Sequence, residues 1–353
     1  MNILITGGAG FVGSTLAFSL KNKYPDYQIF CLDNLRRKGS ELNVARFSKS
    51  GITFIHGDIR NKEDFDAVPT VDFVIEASAE PSVMAGLDGT PDYLINTNLV
   101  GTINCLNFAK KSKAKFIFLS TSRVYPIKAI EKLNYIETST RFELTDNQKI
   151  EGISSKGIAE NFPLNGARSL YGTTKLASEL IIQEYQEFYG LDTVINRFGV
   201  ITGPWQMGKA DQGVMVLWVA KHFYQQQLAY IGYGGTGKQT RDMLHVQDVF
   251  KLIDYQIHHF AIVNGEILNA GGGIEISASL QELTAICQKI TGKTIPINPI
   301  AENRSADIPI YITDNTKITA LTGWKPELSI QKIVEDITNW IAENEESLSY
   351  VLK

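Results

Sequence analysis

Tyr171-Gly172-Thr173-Thr174-Lys175 places a phenol and an amine four residues apart, the spacing of neighbours on one helix face. An ammonium so placed favours the phenolate and lowers a phenol pKa from its usual value of about 10 toward neutrality. A phenolate of that kind accepts a proton from an alcohol. The same spacing also arises from a core tyrosine beside a surface lysine, so a second signal has to agree with it. Ser120-Thr121-Ser122-Arg123-Val124-Tyr125 follows the apolar run Phe116-Ile117-Phe118-Leu119, which reads as a strand. Hydroxyls at that point lie at the carboxyl edge of a sheet, where open α/β sheets bind ligands; a plain hydroxyl-rich turn is the alternative.

The elements that must position these groups begin at the first residues. Ile3 to Ile5 reads as a buried strand, Gly7, Gly10 and Gly13 follow, and Val12, Leu16 and Leu20 repeat as the inner stripe of a helix. Strand, glycine turn and helix bring a pyrophosphate onto a helix N-terminus, with the Phe11 and Val12 backbone in the same turn. An ordinary glycine turn has the same look. Asp33 tests it: it lies 20 residues past Gly13, at the end of a second strand, Gln28 to Leu32. A carboxylate there hydrogen-bonds the adenosine ribose and repels a 2′-phosphate, so NAD is expected over NADP. Arg36, Arg37 and Lys38 pull the other way without reversing this, and Asp58-Ile59, after a third strand, is placed to flank adenine. With a nicotinamide present, the phenolate would take the proton of a sugar hydroxyl as its carbinol is oxidised.

Further strands are expected at 71–75 and 193–195, and helices at about 92–110 and 171–189, the latter ended by Gly190. This alternation predicts an α/β fold, a doubly wound Rossmann parallel sheet covered on both faces. The stretch from Ile127 to Arg168 lacks periodicity and reads as a lid, a binding loop or a disordered segment. After Gly203-Pro204 the texture changes, with helical patterns near 280–291 and 330–343. The expected division is a cofactor domain over 1–198, with part of 242–262 returning to it, and a smaller α/β substrate domain over 199–353. The 353 residues suffice for this, and 44% hydrophobic and 20% charged residues are ordinary for a globular chain. A net charge of −4 points away from nucleic acid or an anionic membrane as partner. No apolar run approaches the roughly 20 residues of a spanning helix. Three dispersed cysteines build neither disulfides nor a metal site, which suits a reducing cytoplasm. A strand beginning at residue 3 leaves no room for a signal peptide.

Taken in order, these motifs resemble the extended short-chain dehydrogenase/reductases that act on nucleotide sugars. The resemblance is carried by Thr6 to Gly13, Asp33-Asn34-Leu35, Gly57-Asp58-Ile59, Asn98 to Thr102, Ser120 to Tyr125 and Tyr171 to Lys175. Gly237 to Asp242, His245-Val246 and Asp248 continue it through the second half. It implies Tyr171 as the base, Lys175 holding tyrosine and nicotinamide ribose, and Thr121 bonding the reacting hydroxyl. It implies NAD, tightly bound and regenerated each turnover, on Gly7, Gly10, Phe11, Val12, Gly13, Asp33, Asn34, Asp58, Ile59, Ala77 and Ala79. It places Glu80, Ser122, Arg123, Lys209, Arg241 and Arg304 on the nucleotide sugar, where a bidentate guanidinium at 241 suits two phosphates. Asn98 is expected to support the active-site strand. Trp205 and Lys238 are open between nucleotide contact and ordinary surface roles. The helices near 92–110 and 171–189 form a homodimer interface in this family.

The family's dehydratases place Asp-Glu directly after the catalytic threonine; here those positions are Ser122 and Arg123. Elimination of water then lacks its acid, which leaves epimerisation through a transient ketone. Asp33 to Asn43, Glu76 to Ser82 and Gly203 to Lys209 resemble epimerases that invert C2 of a CDP-dideoxyhexose, so a CDP-sugar is the favoured substrate. A UDP-hexose 4-epimerase is the alternative, and another dehydratase or reductase of the family a more distant one. Two departures face the substrate side: Glu76 stands where many relatives carry histidine, and Val200 where many carry asparagine.

Overall fold

The computed structural model describes all residues except 88, 208–212, 305 and 353. It divides into two compact units: unit 1 comprises 1–124, 170–197 and 250–268, and unit 2 comprises 125–169, 198–249 and 269–353. Residues 125–169, expected within the first domain, therefore group with the second unit.

Unit 1 carries a sheet of seven strands: β1 (Asn2–Thr6), β2 (Gln28–Asp33), β3 (Thr53–His56), β4 (Phe73–Glu76), β5 (Lys115–Thr121), β6 (Thr193–Phe198) and β7 (Ile267–Ala270). Their order is β7-β6-β5-β4-β1-β2-β3. The pairs β1–β2, β2–β3, β1–β4 and β4–β5 are parallel. This is the expected α/β Rossmann sheet. Its apolar runs form it because parallel strands are covered on both faces: Ile3, Leu4 and Ile5 are fully buried. The chain runs one way from β1 into β2 and the other way across β4, so the switch point lies between β1 and β4, and the crevice of such folds opens at their carboxyl ends.

Helices α1 (Phe11–Lys23), α2 (Glu41–Ser50), α3 (Gly101–Ser112) and α4 (Leu170–Tyr189) complete the frame. One sheet face, with Leu4, Val74, Phe116, Phe118 and Ile195, packs against Leu106 and Phe108 of α3 and Ile182 of α4. The helix expected over 92–110 is interrupted. Asp92–Ile95 passes into a π-helical turn, Asn96–Val100, before α3 begins. The wide turn presents Asn98, whose amide accepts from the Glu80 N–H (2.8 Å) and donates to Glu80 O (3.0 Å) and Thr174 Oγ1 (3.2 Å). Such turns interrupt α-helices most often at functional sites, and Asn98 here ties the loop after β4 to the first turn of α4.

Gly7 has φ +64°, and a Cβ on it would meet the Ala77 backbone at 2.8 Å. A Cβ on Gly13 would lie 2.2 Å from Gly7 O, so glycine lets the first turn of α1 close on the loop itself. Gly13→Ala is expected to cost about 1–3 kcal/mol, the scale of overpacking, and to lower retention of the dinucleotide. Thermal unfolding and the nucleotide released on denaturation check both; an unchanged melting temperature would contradict it.

Unit 2 pairs Val200–Thr202 with Thr240–His245 in parallel, flanked by Ser277–Ser279 and Ile310–Tyr311. Leu228–Ile231 pairs with Ile297–Ile300. Its longer helices are Val214–Phe223, Leu280–Thr291 and Ile330–Glu343. The aperiodic 127–168 stretch holds a helical turn, Ile127–Ile130, and two small hairpins, Tyr135–Glu137 with Phe142–Leu144 and Ile153–Ser154 with Gly157–Ile158. It is fastened down: Phe142 packs on Ile310 and Ile312, Ile158 N–H donates to Ile312 O (2.8 Å), and Arg141 grips Glu282 (2.7 Å). Among the described residues no helix is long and apolar enough to cross a membrane.

Candidate active site

Thr121, at the carboxyl end of β5, lies beside Tyr171 in the first turn of α4, where its hydroxyl acts on the phenol. The Arg123 N–H, on the single turn Ser122–Val124, donates to Thr121 Oγ1 at 3.2 Å and orients it. Burial and three groups set the acidity of Tyr171. Burial pushes the phenol above its ordinary value, the Thr121 hydroxyl and the Arg123 charge pull it down, and the Glu80 carboxylate pushes it up. The phenol was expected to be depressed by Lys175, and that expectation is corrected: its pKa is raised. The reason is where the ammonium goes. The Lys175 side chain is 1% exposed and its Nζ lies 3.7 Å from the Phe118 ring centroid, over the sheet face, where its charge is shared with Glu76 and Glu179. Burial lowers the Lys175 pKa to about 8 against the upward pull of those carboxylates.

A buried polar layer lies along this sheet edge. Glu179 and Arg197 are 0% and 3% exposed and paired through two guanidinium nitrogens, at 2.7 Å to Oε2 from Nη2 and 3.0 Å from Nε. Ser120 Oγ donates to Glu179 Oε1. Thr102 Oγ1 donates to Glu76 Oε1 at 2.7 Å, and Ser178 Oγ to Asn98 O at 2.9 Å. Glu179, Arg197, Thr102 and Ser178 are not among the site residues expected from motifs. The sequence carried a signal for two of them: Glu179 follows Lys175 by four on the same helix face, and Arg197 places a charge in a buried strand.

At the other end of the crevice, α1 starts on Gly10 with no side-chain cap, so its first-turn N–H groups are donors not claimed by a cap. Asp33 accepts from the Ala9 N–H (3.1 Å) and the Leu35 N–H (2.8 Å), and burial raises its pKa. Asp58 is engaged by Arg60 (2.7 and 2.9 Å) and by Asn34 Nδ2 (2.8 Å), which together hold its carboxyl down to about 2. Ile59 lies in the core against Gly101, and Ala77 N–H donates to Thr6 O (3.1 Å). Arg36 is stacked 3.7 Å from the Tyr93 ring centroid, with Arg60 at 4.7 Å from the same ring. An uncapped helix N-terminus, a glycine loop at the switch point and a carboxylate ending β2 fit a dinucleotide.

The remaining candidates belong to unit 2. Arg241 is largely buried; it donates to Thr240 O (2.8 Å) and Ile308 O and pairs with Asp307 (3.1 Å). Arg304 is exposed, and its carbonyl accepts from the Asp307 N–H. Trp205 lies against Trp340 with ring centroids 5.8 Å apart. Lys238 pairs with Glu137 at 2.8 Å. Lys209 lies outside the described residues.

Residues 3–271 match the model of the NAD dependent epimerase/dehydratase family. The chain belongs to this family. Among its relatives, the CDP-paratose 2-epimerase of Salmonella typhi is 31% identical, over 96% of this chain and 99% of that protein. A putative UDP-glucose 4-epimerase of Methanocaldococcus jannaschii is 29% identical over 97% and 99%. A dTDP-glucose 4,6-dehydratase of Bacillus anthracis, solved in complex with NAD, superposes with a TM-score of 0.75 at 26% identity, covering 98% of both chains. This member of the epimerase/dehydratase family is thus an enzyme of the isomerase kind, with NAD as its cofactor.

Proposed function

We propose that the protein inverts one carbinol of a nucleotide-diphosphate sugar, with C2 of CDP-paratose, giving CDP-tyvelose, as the favoured case. The observation that carries it is the placement of Thr121, at the carboxyl end of β5, beside Tyr171 on α4, with Lys175 on the same helix face. NAD, when bound, supplies the two-electron acceptor and donor through which a carbinol becomes a ketone and is restored. Tyr171 accepts the proton of the sugar hydroxyl and returns it after the ketone has turned over. Thr121 holds that hydroxyl against the phenol, and Lys175 supplies positive charge on the cofactor side. Gly7, Gly10, Phe11, Val12, Gly13, Asp33, Asn34, Asp58, Ile59, Ala77 and Ala79 hold the dinucleotide, with Asp33 on the ribose and Asp58 and Ile59 beside the adenine. Ser122 and Arg123, where a dehydratase would need Asp-Glu, favour epimerisation over loss of water. Glu80 and Arg123, the charged groups that bear on Tyr171, are assigned to the sugar, and Arg241, Arg304 and Lys209 to the nucleotide diphosphate.

The 31% identity to the CDP-paratose 2-epimerase over nearly the whole of both chains favours a CDP-sugar; the 29% match to the putative UDP-glucose 4-epimerase supports a UDP-hexose 4-epimerase as second reading. In these terms unit 1 serves the cofactor and unit 2 the nucleotide sugar. Val100, Leu180, Phe188 and Tyr189 are exposed on the π turn and α4, Phe188 by 74%, and support a homodimer through these helices. Three free, buried cysteines are compatible with the cytoplasm. A panel of CDP-, UDP- and GDP-sugars, with product stereochemistry read by proton NMR, tests the reading. Inversion of a CDP-sugar at C2 is expected; inversion of UDP-hexoses alone, at C4, would replace it with the second reading.

A further inference from the structure

Glu76 is the last residue of β4 and is 0% exposed. In register it pairs with Thr6 on β1 and Phe118 on β5, so these three side chains share one sheet face. The Nζ of Lys175 lies over that same Phe118. Glu76 Oε1 accepts from Thr102 Oγ1, whereas Oε2 is buried with no hydrogen-bond partner among the described residues. A buried carboxylate with a bare oxygen is costly unless a cation lies near it. The charges on this face can be counted. α4 contributes Lys175 and Glu179, β6 contributes Arg197, β4 contributes Glu76, and α3 contributes Cys105, whose thiol burial pushes well up and keeps neutral. β1 and β5 face the carboxyl with Thr6 and Phe118, which do not titrate in this range. Arg197 occupies both oxygens of Glu179, at 3.0 Å and 2.7 Å to Oε2 and 3.2 Å to Oε1. That leaves Glu76 and Lys175 to neutralise each other.

We propose that Glu76 is the positioning residue of Lys175, a buried counter-ion that keeps the ammonium charged one helical turn from Tyr171. The proposal rests on the reading of Lys175 as part of the reacting site. The electrostatics agree: burial raises the Glu76 carboxyl to about 7, the Lys175 charge opposes that rise, and the Glu76 charge in turn raises Lys175. Without the Glu76 carboxylate, desolvation is opposed chiefly by Glu179, whose oxygens Arg197 already engages, and the proton of the amine leaves at lower pH. A purely structural glutamate would leave that titration where it is.

The test uses full-length protein as purified, with its dinucleotide, labelled with [ε-13C]lysine; the Lys175 resonance is identified by its absence in Lys175→Met. Its titration midpoint is expected to fall by at least one pH unit in Glu76→Gln, tenfold in the protonation equilibrium. Thr102→Val, which removes the donor to Oε1 together with that hydroxyl's contacts to Asn98 O and Ser178 Oγ, is expected to shift it in the same direction by less, and keeps the test open if Glu76→Gln does not fold. A Lys175 midpoint that stays in place in the variants would overturn the proposal. Because the midpoint is read without substrate, it decides this point whether or not the epimerisation reading stands.

Discussion

Tyr171→Phe is expected to lower turnover about a hundred- to ten-thousand-fold, the range of a positioned acid–base group. The fold should survive, because the ring remains and the substitution takes away only the hydroxyl beside Thr121. KM should change little, since the hydroxyl acts on the proton in flight more than on binding. The pH response follows from the shifts. The phenol stands above its ordinary value, so its reactive phenolate is a minor form near neutrality and grows as pH rises. Lys175, lowered to about 8, loses its charge over the upper part of that range. The wild-type rate should therefore climb from acid pH and level off at about pH 8, where growth of the phenolate is offset by loss of the Lys175 charge, and the residual Tyr171→Phe rate should lack the rising limb. A Phe variant with full activity would remove the proposed base.

The second large effect concerns stability. Glu179→Gln leaves Arg197 without its counter-charge in a layer where both side chains are almost fully buried. Breaking one side of a buried pair costs about 3–5 kcal/mol, because the partner remains charged and desolvated. Denaturant unfolding should show that loss, and the Glu179→Leu/Arg197→Met double variant should recover much of it, since no buried charge of this pair is left. A single variant within about 1 kcal/mol of wild type would mean that the pair is solvated in solution, as surface pairs are.

Much of this was legible in the chain because local rules and global fold agree. Leu280–Thr291 was readable as a helix, and the structure adds the reasons it starts and stops there: a Ser279–Glu282 capping box and Gly292 at φ +67°. The strand-end hydroxyls and the tyrosine–lysine spacing do fall on β5 and α4. Other features were hidden because their causes are distant in sequence. The 127–168 stretch showed no period since its hairpins are held by Ile310, Ile312 and Glu282, partners far along the chain. The π turn at 96–100 interrupts a continuous helical pattern in favour of Asn98, whose partners are Glu80 and Thr174. The direction of the Tyr171 shift could not be read from spacing, because spacing places Lys175 near the phenol without showing that Glu76 and Glu179 claim its charge.

In this mechanism the carbon-bound hydrogen of the inverted centre is kept within the active site while Tyr171 handles only the hydroxyl proton. The most direct test is turnover of a CDP-sugar in deuterated water, followed by proton NMR of the product. Inversion with protium retained at the inverted carbon is the predicted result. Deuterium entering that carbon during inversion would mean that a base removes the carbon-bound proton, and would contradict the account.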